Sequence, residues 1–383
     1  MDQRPANPFK DTYGAYPHPQ FRLDRAGINN SVLAALESSG NSDAGGAFFF
    51  TGPVGYGKSC LLLSLSELAK NAGWQTIEAT PSRAVSSIVS QLSGRSPVVK
   101  AEVTPKVGIP GGPELVLSGK ASAESGSAPV GPGALLKQRV QSLVKSEGVL
   151  ITIDDAHRVP EQDMAELCYA MQLARRDSLP LVFVFAGPPD SKRKAETYAG
   201  CEFMCYVEEQ QLGPLPLDDI AAVYRRIPQL ATDFTELDDE LAQKLASMSQ
   251  GHPYLVQLVG YTFVEALRKA CPVGMYRATV QDAEAVEGDV YARYCKGLLI
   301  PNTRNLGHTQ LRYLVAMDAV ADEQGLASTR DVASQLGKSV KQLADCRGRL
   351  VQRHLILPAG RGKVRFALPY LARYAQDRLD AAD

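Results

Sequence analysis

The chain has 383 residues, of which 45% are hydrophobic, and its formal net charge at pH 7 is −1. A chain of this length can bury more than one hydrophobic core, so we expect two or three domains. The near-zero charge excludes a polyelectrolyte that binds nucleic acid over its whole surface, and any nucleic-acid surface must therefore be local.

The cysteines and the apolar runs indicate a soluble cytoplasmic protein. The seven cysteines are scattered, form no C-x-x-C pair and have no nearby histidines at metal-ligand spacing, as is typical of reduced cytosolic proteins. The N-terminus has no apolar region of the kind found in secretory signals. No run reaches the roughly 18 to 20 uninterrupted apolar residues of a membrane-spanning helix, so we expect no membrane association.

The first half of the chain alternates short apolar runs with helical patterns after an extended arm at residues 1–20. Strands are predicted at 47–51, 75–79, 149–153 and 179–186. Helices are predicted at 28–36, 61–72, 82–92, 135–145 and 162–174. Because the strand runs are largely apolar on both faces, they predict an α/β fold in which helices cover both sides of a parallel sheet.

Residues 94–133 interrupt this pattern. They are rich in glycine, proline, serine and valine, and the last part holds little that fills a core. We expect an insertion in the α/β core here, with a hairpin formed by 98–106 and 114–117 and a mobile loop at 119–133.

The second half of the chain reads differently, because strand signals stop after residue 212. Helices are predicted at 217–226, 238–249, 253–269 and 280–299. Further helices are predicted at 311–320, 328–336 and 339–354, before two strands within 355–368. A helix-turn-helix followed by a hairpin is the winged-helix pattern. We therefore expect four parts. They are an arm with its helix (1–40), an α/β core (41–212), a helical unit (213–300) and a winged helix (301–383).

A phosphate-binding loop is predicted at residues 52–59, which read G-P-V-G-Y-G-K-S and match G-x-x-x-x-G-K-[ST]. Glycines let the backbone curl so that successive N–H groups point at phosphate oxygens, and the following helix adds its positive N-terminal end. Lys58 is expected to reach the β- and γ-phosphates, and the Ser59 hydroxyl to ligate Mg²⁺. The alternative is a chance match in a glycine-rich chain, which the flanking strand and helix disfavour. The expected nucleotide-binding residues here are Gly52, Pro53, Val54, Gly55, Tyr56, Gly57, Lys58, Ser59 and Cys60.

Two aspartates follow the apolar run at 149–153. In proteins with such a loop, an acidic residue at the end of a neighbouring strand holds the Mg²⁺ shell, and Asp154 is placed for that role. Asp155 would face the attacking water, where a carboxylate orients the water and accepts its proton. The alternative is a solvated helix N-cap, a position that aspartate also suits. Lys58, Asp154 and Asp155 are therefore the candidate catalytic residues, and Ser59 and Asp154 the candidate metal ligands.

The order of these features resembles a known family. G-P-x-G-x-G-K-S, then I-D-D-A-H, then a helical unit and a winged helix resemble the AAA+ and STAND-like ATPases, most of all the bacterial and archaeal origin-recognition-like, or replication-initiator-like, branch. The segments Asn7-Pro8-Phe9, Leu212-Gly213-Pro214-Leu215 and Gly251-His252-Pro253-Tyr254-Leu255 also resemble this branch. The resemblance implies a P-loop ATPase fold with an all-helical lid and a C-terminal winged helix, and ATP with Mg²⁺ as cofactors.

The resemblance also implies contacts on the adenine side of the nucleotide. A Gly-x-Pro turn in the lid of such ATPases touches the base or ribose, which assigns this role to His252 and Pro253. Backbone physics alone explains the same residues, because a helix ending at Gly251 and another opening at Pro253 require them. The Gly-Arg that commonly flanks the adenine stands here as Asp24-Arg25, which implies a contact from Arg25.

Several departures from the family pattern concern hydrolysis. Asp155 stands where the family usually has Glu, and the shorter side chain is expected to make turnover slow. The run Phe185-Ala186-Gly187-Pro188-Pro189 has no Asn, Ser or Thr at the expected sensor position. Arg193 is the weak candidate for an arginine finger. None of these departures affects nucleotide binding.

The winged helix carries a local basic segment. Residues 338–365 contain eight basic side chains and one acid, Asp345, so the segment carries 8 − 1 = +7 in a chain near zero. Lys338, Ser339, Lys341 and Gln342 are expected at the start of the recognition helix, where base edges are met. Arg361 and Lys363 are expected at the wing tip, which suits phosphate or the minor groove. The alternative is a winged helix that contacts protein.

The sequence leaves three functions open. The first is an ATP-switched ATPase that binds duplex DNA through its winged helix. The second is a STAND-like signalling switch whose winged helix contacts a protein, with slow or no hydrolysis. The third is a nucleotide-binding scaffold without hydrolysis. A homo-oligomer or a protein partner is compatible with each of them.

Overall fold

The computed structural model describes residues 6–10, 16–23, 25–37, 46–92, 132–141, 148–231, 233–235, 237–270 and 275–381. Both strands of the hairpin expected in the insertion, and most of its loop, lie outside these residues. Among the described helices, none combines the length and the apolar character needed to cross a membrane.

The α/β core is built on a five-stranded sheet. Its strands are β1 (Ala47–Thr51), β2 (Gln75–Ala79), β3 (Val149–Ile153), β4 (Leu181–Gly187) and β5 (Glu208–Gln211). The strand order is β2-β3-β4-β1-β5, and every pairing is parallel. The predicted fold class is confirmed. β5 was not predicted as a strand, because its four residues are polar and lie at the edge of the sheet.

Helices cover both faces of this sheet. They are α1 (Ala26–Glu37), α2 (Lys58–Asn71), α3 (Ala84–Leu92), α4 (Pro132–Gln141), α5 (Glu161–Arg176) and α6 (Ser191–Ala195). Successive residues of one strand point to opposite faces, so Phe48 and Phe50 pack towards α1 and α2, whereas Phe49 lies in the core shared with α3, α4 and α5. The loop between β1 and α2 therefore projects from the carboxyl edge of a sheet that is buried on both sides.

The described residues of the lid form helices, with an isolated β-bridge between Phe234 and Tyr276. The helices are α7 (Leu217–Tyr224), α8 (Ile227–Leu230), α9 (Asp239–Ser249), α10 (Pro253–Ala270), α11 (Val280–Ala285) and α12 (Glu287–Tyr294), followed by a π-helix at Cys295–Leu299 and by α13 (Ile300–Thr303). The prediction of one helix over 280–299 was wrong, because the chain breaks at Val286 and widens into the π-helix. A Cβ atom on Gly297 would lie 2.6 Å from the Tyr254 hydroxyl, so a glycine permits the π-helix to approach α10.

The C-terminal part has the winged-helix arrangement. Its elements are α14 (His308–Ala319), β6 (Leu326–Ser328), α15 (Thr329–Gln335), α16 (Ala344–Gln352), β7 (Ile356–Pro358), β8 (Lys363–Phe366) and α17 (Leu371–Asp380). The three strands form an antiparallel sheet in the order β6-β8-β7. The third helix begins at Ala344 and not at Ser339 as predicted, because residues 340–343 form a turn.

The arm, the lid and the winged helix share one hydrophobic core. Phe9 and Phe21 of the arm stack with ring centroids 4.5 Å apart and lie buried against the lid. A Cβ atom on Gly260 of α10 would lie 2.6 Å from the Phe9 ring, so this glycine lets the arm sit directly on the lid. The arm, lid and winged helix therefore meet around the carboxyl edge of the sheet.

Candidate nucleotide-binding site

A cavity of about 510 Å³ lies where the phosphate-binding loop, the arm, the lid and the winged helix meet. Its volume falls within the range of about 300 to 1,000 Å³ that is typical of small-molecule sites. The loop residues Gly52 and Val54–Ser59 form one wall, with Cys60 beside them. The arm contributes Tyr16, Phe21 and Arg25 among others, and the lid contributes Pro253.

Every backbone carbonyl of the loop from Gly52 to Tyr56 accepts a hydrogen bond. Lys58 Nζ donates to Gly52 O and to Pro53 O, each at 2.8 Å. The next three carbonyls are held from outside the loop, by His252 Nε2 at 3.1 Å on Val54 O, by the backbone N–H of Tyr254 at 3.3 Å on Gly55 O, and by Arg25 Nη2 at 3.2 Å on Tyr56 O.

These bonds fix the direction of the loop amides. The described peptide bonds are trans, and in a trans peptide the C=O and the following N–H point in opposite directions. Gly55 and Gly57 have φ values of 82° and 79°, which glycine adopts at little cost. The N–H groups of Gly55, Tyr56 and Gly57 therefore point away from the groups that hold the preceding carbonyls, which leaves these amides available to a phosphate.

Lys58 occupies the centre of the site. Its ammonium group turns back onto the loop carbonyls, the place that phosphate oxygens compete for when a nucleotide binds. Burial lowers the pKa of Lys58 to about 8, although Asp154 and Asp155 oppose the shift. A buried, incompletely compensated cation at a helix N-terminus favours an anionic ligand.

The two candidate metal ligands lie in direct contact, since the Ser59 hydroxyl donates to Asp154 Oδ2. Asp154 Oδ1 accepts the backbone N–H of Asp155 at 2.8 Å, which orients the carboxylate. Mg²⁺ is usually held in nucleotide sites by one or two protein oxygens, by phosphates and by waters, so the pair fits this ion. The described residues contain no group of three or more His, Cys, Asp or Glu that could hold a metal.

Asp155 has an uncommon backbone conformation. Its φ and ψ are 48° and 42°, a left-handed region that is rarely occupied by residues other than glycine and that occurs often at functional sites. The side chain makes no N-cap hydrogen bond to the short helix that follows, so the capping explanation for this residue finds no support. Its carboxylate lies 3.8 Å from Arg158 Nη1 in an exposed pair and also lines the cavity.

The structure places His252 differently from the prediction. Gln250 and Gly251 both have positive φ, at 47° and 75°, and this turn directs the ring beneath the loop. The side chain is fully buried and lies edge-on to Tyr56 at 4.9 Å, whereas Pro253 lines the cavity. Burial lowers the pKa of His252 to about 4, so the ring is neutral. Its predicted adenine contact is therefore replaced by a contact with the loop backbone.

Arg25 lines the cavity and bridges two parts of the chain. Besides Tyr56 O it donates to Gly213 O at 3.2 Å, at the start of the lid. The preceding Asp24 lies outside the described residues. The guanidinium of Arg25 is thus held on backbone carbonyls, and its contact with the adenine stays a prediction.

The winged helix contributes residues to the same cavity. Arg353, His354, Leu355 and Leu368 line it, together with Asn302 of α13. Arg353 Nη2 donates to Arg304 O at 2.9 Å, and burial lowers the pKa of His354, with Asp190 opposing the shift. Arg353, one of the eight basic side chains of residues 338–365, therefore lies at the cavity. Nothing in the local sequence marks these residues, because their position depends on how the domain docks.

The winged-helix residues predicted to contact DNA lie on its exposed surface. Lys338, Ser339, Lys341 and Gln342 precede α16 and are exposed. Ser339 and Gln342 bond to each other, with Ser339 N donating to Gln342 Oε1 at 2.8 Å and Gln342 N donating to Ser339 Oγ at 3.3 Å. Lys363 Nζ lies 3.6 Å from Asp322 Oδ2. Arg361 stands in the turn between β7 and β8.

Comparison with known proteins agrees with this geometry. Residues 42–194 match the model of a family described as AAA domain, which spans the phosphate-binding loop, Asp154 and Asp155. The core of this chain is an AAA domain. Residues 296–375 match a second model, described as a domain of unknown function (DUF8462), which covers most of the winged helix. No curated protein matches the sequence.

Solved structures share the fold over nearly the whole chain. The Aeropyrum pernix ORC2 protein in ADPNP–ADP complexes is 13% identical over 97% of each chain, with a TM-score of 0.58. Its ADP form is 14% identical over 98% of this chain and 99% of that chain, with a TM-score of 0.53. Cdc6p from Pyrobaculum aerophilum is 14% identical over 97% of each chain, with a TM-score of 0.48. The predicted resemblance to origin-recognition-like AAA+ ATPases is confirmed at the level of the fold.

Proposed function

We propose that this AAA+ protein binds ATP with Mg²⁺, hydrolyses it slowly, and acts as a nucleotide-dependent switch that binds duplex DNA through its winged helix. The observation that carries the proposal is that Arg353 and His354 of the winged helix line the same cavity as Lys58 and Asp154. A nucleotide in this cavity contacts the winged helix directly, so its phosphates affect how the domain is held.

The chemistry follows from the loop and the two aspartates. The loop amides and Lys58 would bind the β- and γ-phosphates. Ser59 and Asp154 would hold Mg²⁺, which would supply positive charge to the phosphate oxygens. Asp155 orients a water for attack on the γ-phosphorus and accepts its proton while the bond to the β,γ-bridging oxygen breaks.

Slow ATP hydrolysis is expected from the residues at three positions, those of the catalytic base, the polar sensor and the arginine finger. Asp155 is one methylene shorter than the Glu that usually occupies this position. Pro188 and Pro189 line the cavity where a polar sensor is expected and offer no side-chain hydrogen bond. Arg193 pairs with Asp190 at 3.0 Å and its side chain is 76% exposed, so within one copy of the described chain it does not act as a finger.

The exposed basic residues support duplex DNA as the partner. Lys338, Lys341 and Arg361 lie on the surface of the winged helix, in the turn before α16 and in the wing, where this fold meets phosphates and grooves. Neither Lys338 nor Lys341 pairs with an acid within 4.0 Å among the described contacts. A cytoplasmic location is also proposed, in line with the free cysteines in the described part of the chain.

Binding experiments test the proposal. Anisotropy with a fluorescent ATP analogue measures nucleotide affinity, and anisotropy with a labelled duplex, with and without nucleotide, measures DNA affinity. The logarithm of the DNA association constant should fall with the logarithm of salt concentration by about 0.9 per phosphate contact. The absence of duplex binding at low salt contradicts the DNA part, and unchanged ATP binding after Lys58→Ala contradicts the nucleotide site.

A STAND-like signalling switch is the second candidate. The observation that favours it is that Arg353 lines the cavity and Lys363 faces Asp322, which reduces the positive charge available to DNA. This function predicts tight retention of ADP, slow turnover and no salt-dependent DNA affinity. Nucleotide that co-purifies with the folded protein, identified by chromatography after denaturation, distinguishes it from the first candidate.

A further inference from the structure

We propose that His252 is a positioning residue that presets the phosphate-binding loop from the lid and links the loop to the docked winged helix. The proposal deepens the nucleotide-switch function and rests on the nucleotide site described above. It names the route by which the position of the winged helix changes nucleotide affinity.

The first step concerns the loop carbonyls. His252 Nε2 lies 3.1 Å from Val54 O, and the Tyr254 N–H donates to Gly55 O at 3.3 Å. Two neighbouring lid residues thus hold two consecutive carbonyls of the loop. Since C=O and N–H oppose each other in a trans peptide, these bonds turn the Gly55 and Tyr56 amides away from the lid groups that hold the carbonyls. The lid therefore prepares the loop for phosphate before a nucleotide arrives.

The second step concerns the state of the histidine. A carbonyl oxygen only accepts, so Nε2 must carry the hydrogen, and burial lowers the pKa of His252 to about 4, which keeps the ring neutral. Nδ1 is buried and has no hydrogen-bond partner among the described residues. A Cβ atom on Gly55 would lie 2.3 Å from His252 Cε1. The ring therefore has one hydrogen bond and one close backbone contact, and both are with the loop.

The third step is the path from His252 to the winged helix. The His252 ring lies edge-on to Tyr294 of α12, with centroids 5.7 Å apart, and Tyr294 lies 6.1 Å from Tyr370. Tyr370 immediately precedes α17 of the winged helix, and its hydroxyl donates to Met248 O at 2.9 Å. The Tyr291 hydroxyl bonds to Asp377 of α17. We call Tyr56, His252, Tyr294 and Tyr370 the ring ladder.

The ring ladder makes nucleotide binding and winged-helix docking depend on each other. The docked domain holds Tyr370 against Tyr294, and Tyr294 forms one wall of the His252 site. If the domain leaves, water reaches this wall, and the buried hydrogen bond to Val54 O competes with hydration. Docking therefore raises nucleotide affinity, and by linkage a bound nucleotide strengthens docking by the same factor.

Four variants of the full chain separate the two parts of the proposal. His252→Leu removes the N–H and the ring, whereas His252→Gln restores an N–H at similar reach without the ring. Tyr294→Leu breaks the ring ladder, and Tyr313→Leu is its matched control. Tyr313 is also a buried tyrosine of the same core with an unpartnered hydroxyl in the described structure, but it lies in α14 outside the ladder.

Two measurements are made on each variant. Anisotropy gives the affinity for a fluorescent ATP analogue, and hydrogen exchange of the peptide covering 371–380 is compared with and without ATP. We expect His252→Leu to weaken nucleotide binding by about tenfold and His252→Gln to recover most of that loss. Tyr294→Leu and His252→Gln should abolish the ATP-dependent change in exchange, whereas Tyr313→Leu should keep it even if its melting temperature falls as far.

The outcomes that overturn the proposal are distinct from those that overturn the nucleotide site. Wild-type affinity in His252→Leu shows that the histidine does not position the loop. A full ATP-dependent exchange change in Tyr294→Leu, or none in a wild-type protein that binds ATP, shows that the ladder does not link the domains. If the wild-type protein binds no nucleotide, or if Lys58→Ala binds as well as wild type, the nucleotide site itself is wrong. If His252→Leu does not fold, the exchange measurements on His252→Gln and Tyr294→Leu still show whether the ring ladder links the domains.

Discussion

The phosphate-binding loop and the basic turn of the winged helix each lead into a helix, yet they are held in different ways. All five carbonyls from Gly52 to Tyr56 are bonded, three of them by residues of the lid and the arm. The turn at 338–343 is closed by its own side chains, Ser339 and Gln342. A site that must bind one anion in one geometry is preorganised, whereas a surface that meets a flexible polyanion needs charge more than fixed geometry.

The largest effect is expected at the centre of the loop. Lys58→Ala removes the ammonium group that contacts phosphate, and it leaves Gly52 O and Pro53 O without their present donor. We expect ATP affinity to fall by about a hundredfold or more, since a charge-assisted contact to a buried anion is lost. Anisotropy with the fluorescent analogue measures this. Lys70→Ala, an exposed lysine of the same helix, is the control and should bind as wild type; equal affinities in both variants contradict the preorganised-site interpretation.

The next effect tests whether the loop is a catalytic site as well as a binding site. Asp155→Asn keeps the size of the side chain but cannot accept a proton from water. We expect turnover to fall by about tenfold to a hundredfold, with ATP affinity little changed, as measured by phosphate release. Asp177→Asn, at an exposed pair with Arg176, serves as control. Unchanged turnover in Asp155→Asn means that another group activates the water.

The pH dependence of ATP binding tests how much the charge of Lys58 contributes to the preorganised loop. Burial lowers the pKa of Lys58 to about 8 in the free protein, and phosphate binds the protonated amine. Above this pKa the free protein must take up a proton to bind, so ATP affinity should fall by about tenfold between pH 7 and pH 9. Lys58→Arg stays charged over this range and should lose this dependence; the same fall in Lys58→Arg assigns the titration to another group.

The smallest effects are expected in the winged helix. Arg361→Ala should weaken duplex binding by about twofold to fivefold and reduce the salt slope by about one, as expected for a single phosphate contact. Arg312→Ala, an exposed arginine of α14 outside the basic segment, should change neither. Salt titrations of DNA anisotropy measure both quantities, and an unaltered slope in Arg361→Ala shows that the wing does not meet phosphate.

The sequence predicted most strands of the sheet correctly, but it missed one edge strand and a break in a lid helix. β1, β2 and β3 were found at their predicted residues, because runs buried on both faces leave a strong apolar signal. β5 was missed, since its exposed glutamates and glutamines carry no such signal. The helix predicted over 280–299 breaks at Val286 and then widens into a π-helix at Cys295–Leu299. In that π-helix Gly297 approaches Tyr254, a contact between distant segments that helical periodicity does not reveal.

In the candidate site too, local sequence predicted some features and the packing of domains determined others. The sequence by itself determined the loop and the aspartates after β3, because glycines, a strand and a helix fix these conformations over a few neighbouring residues. Only the tertiary structure decided that His252 faces the loop instead of the base cavity, and that Arg353 and His354 line the nucleotide cavity. His252 and Val54 are 198 residues apart in the chain. Contacts at that separation depend on how whole domains pack, and no local pattern of residue types encodes their direction.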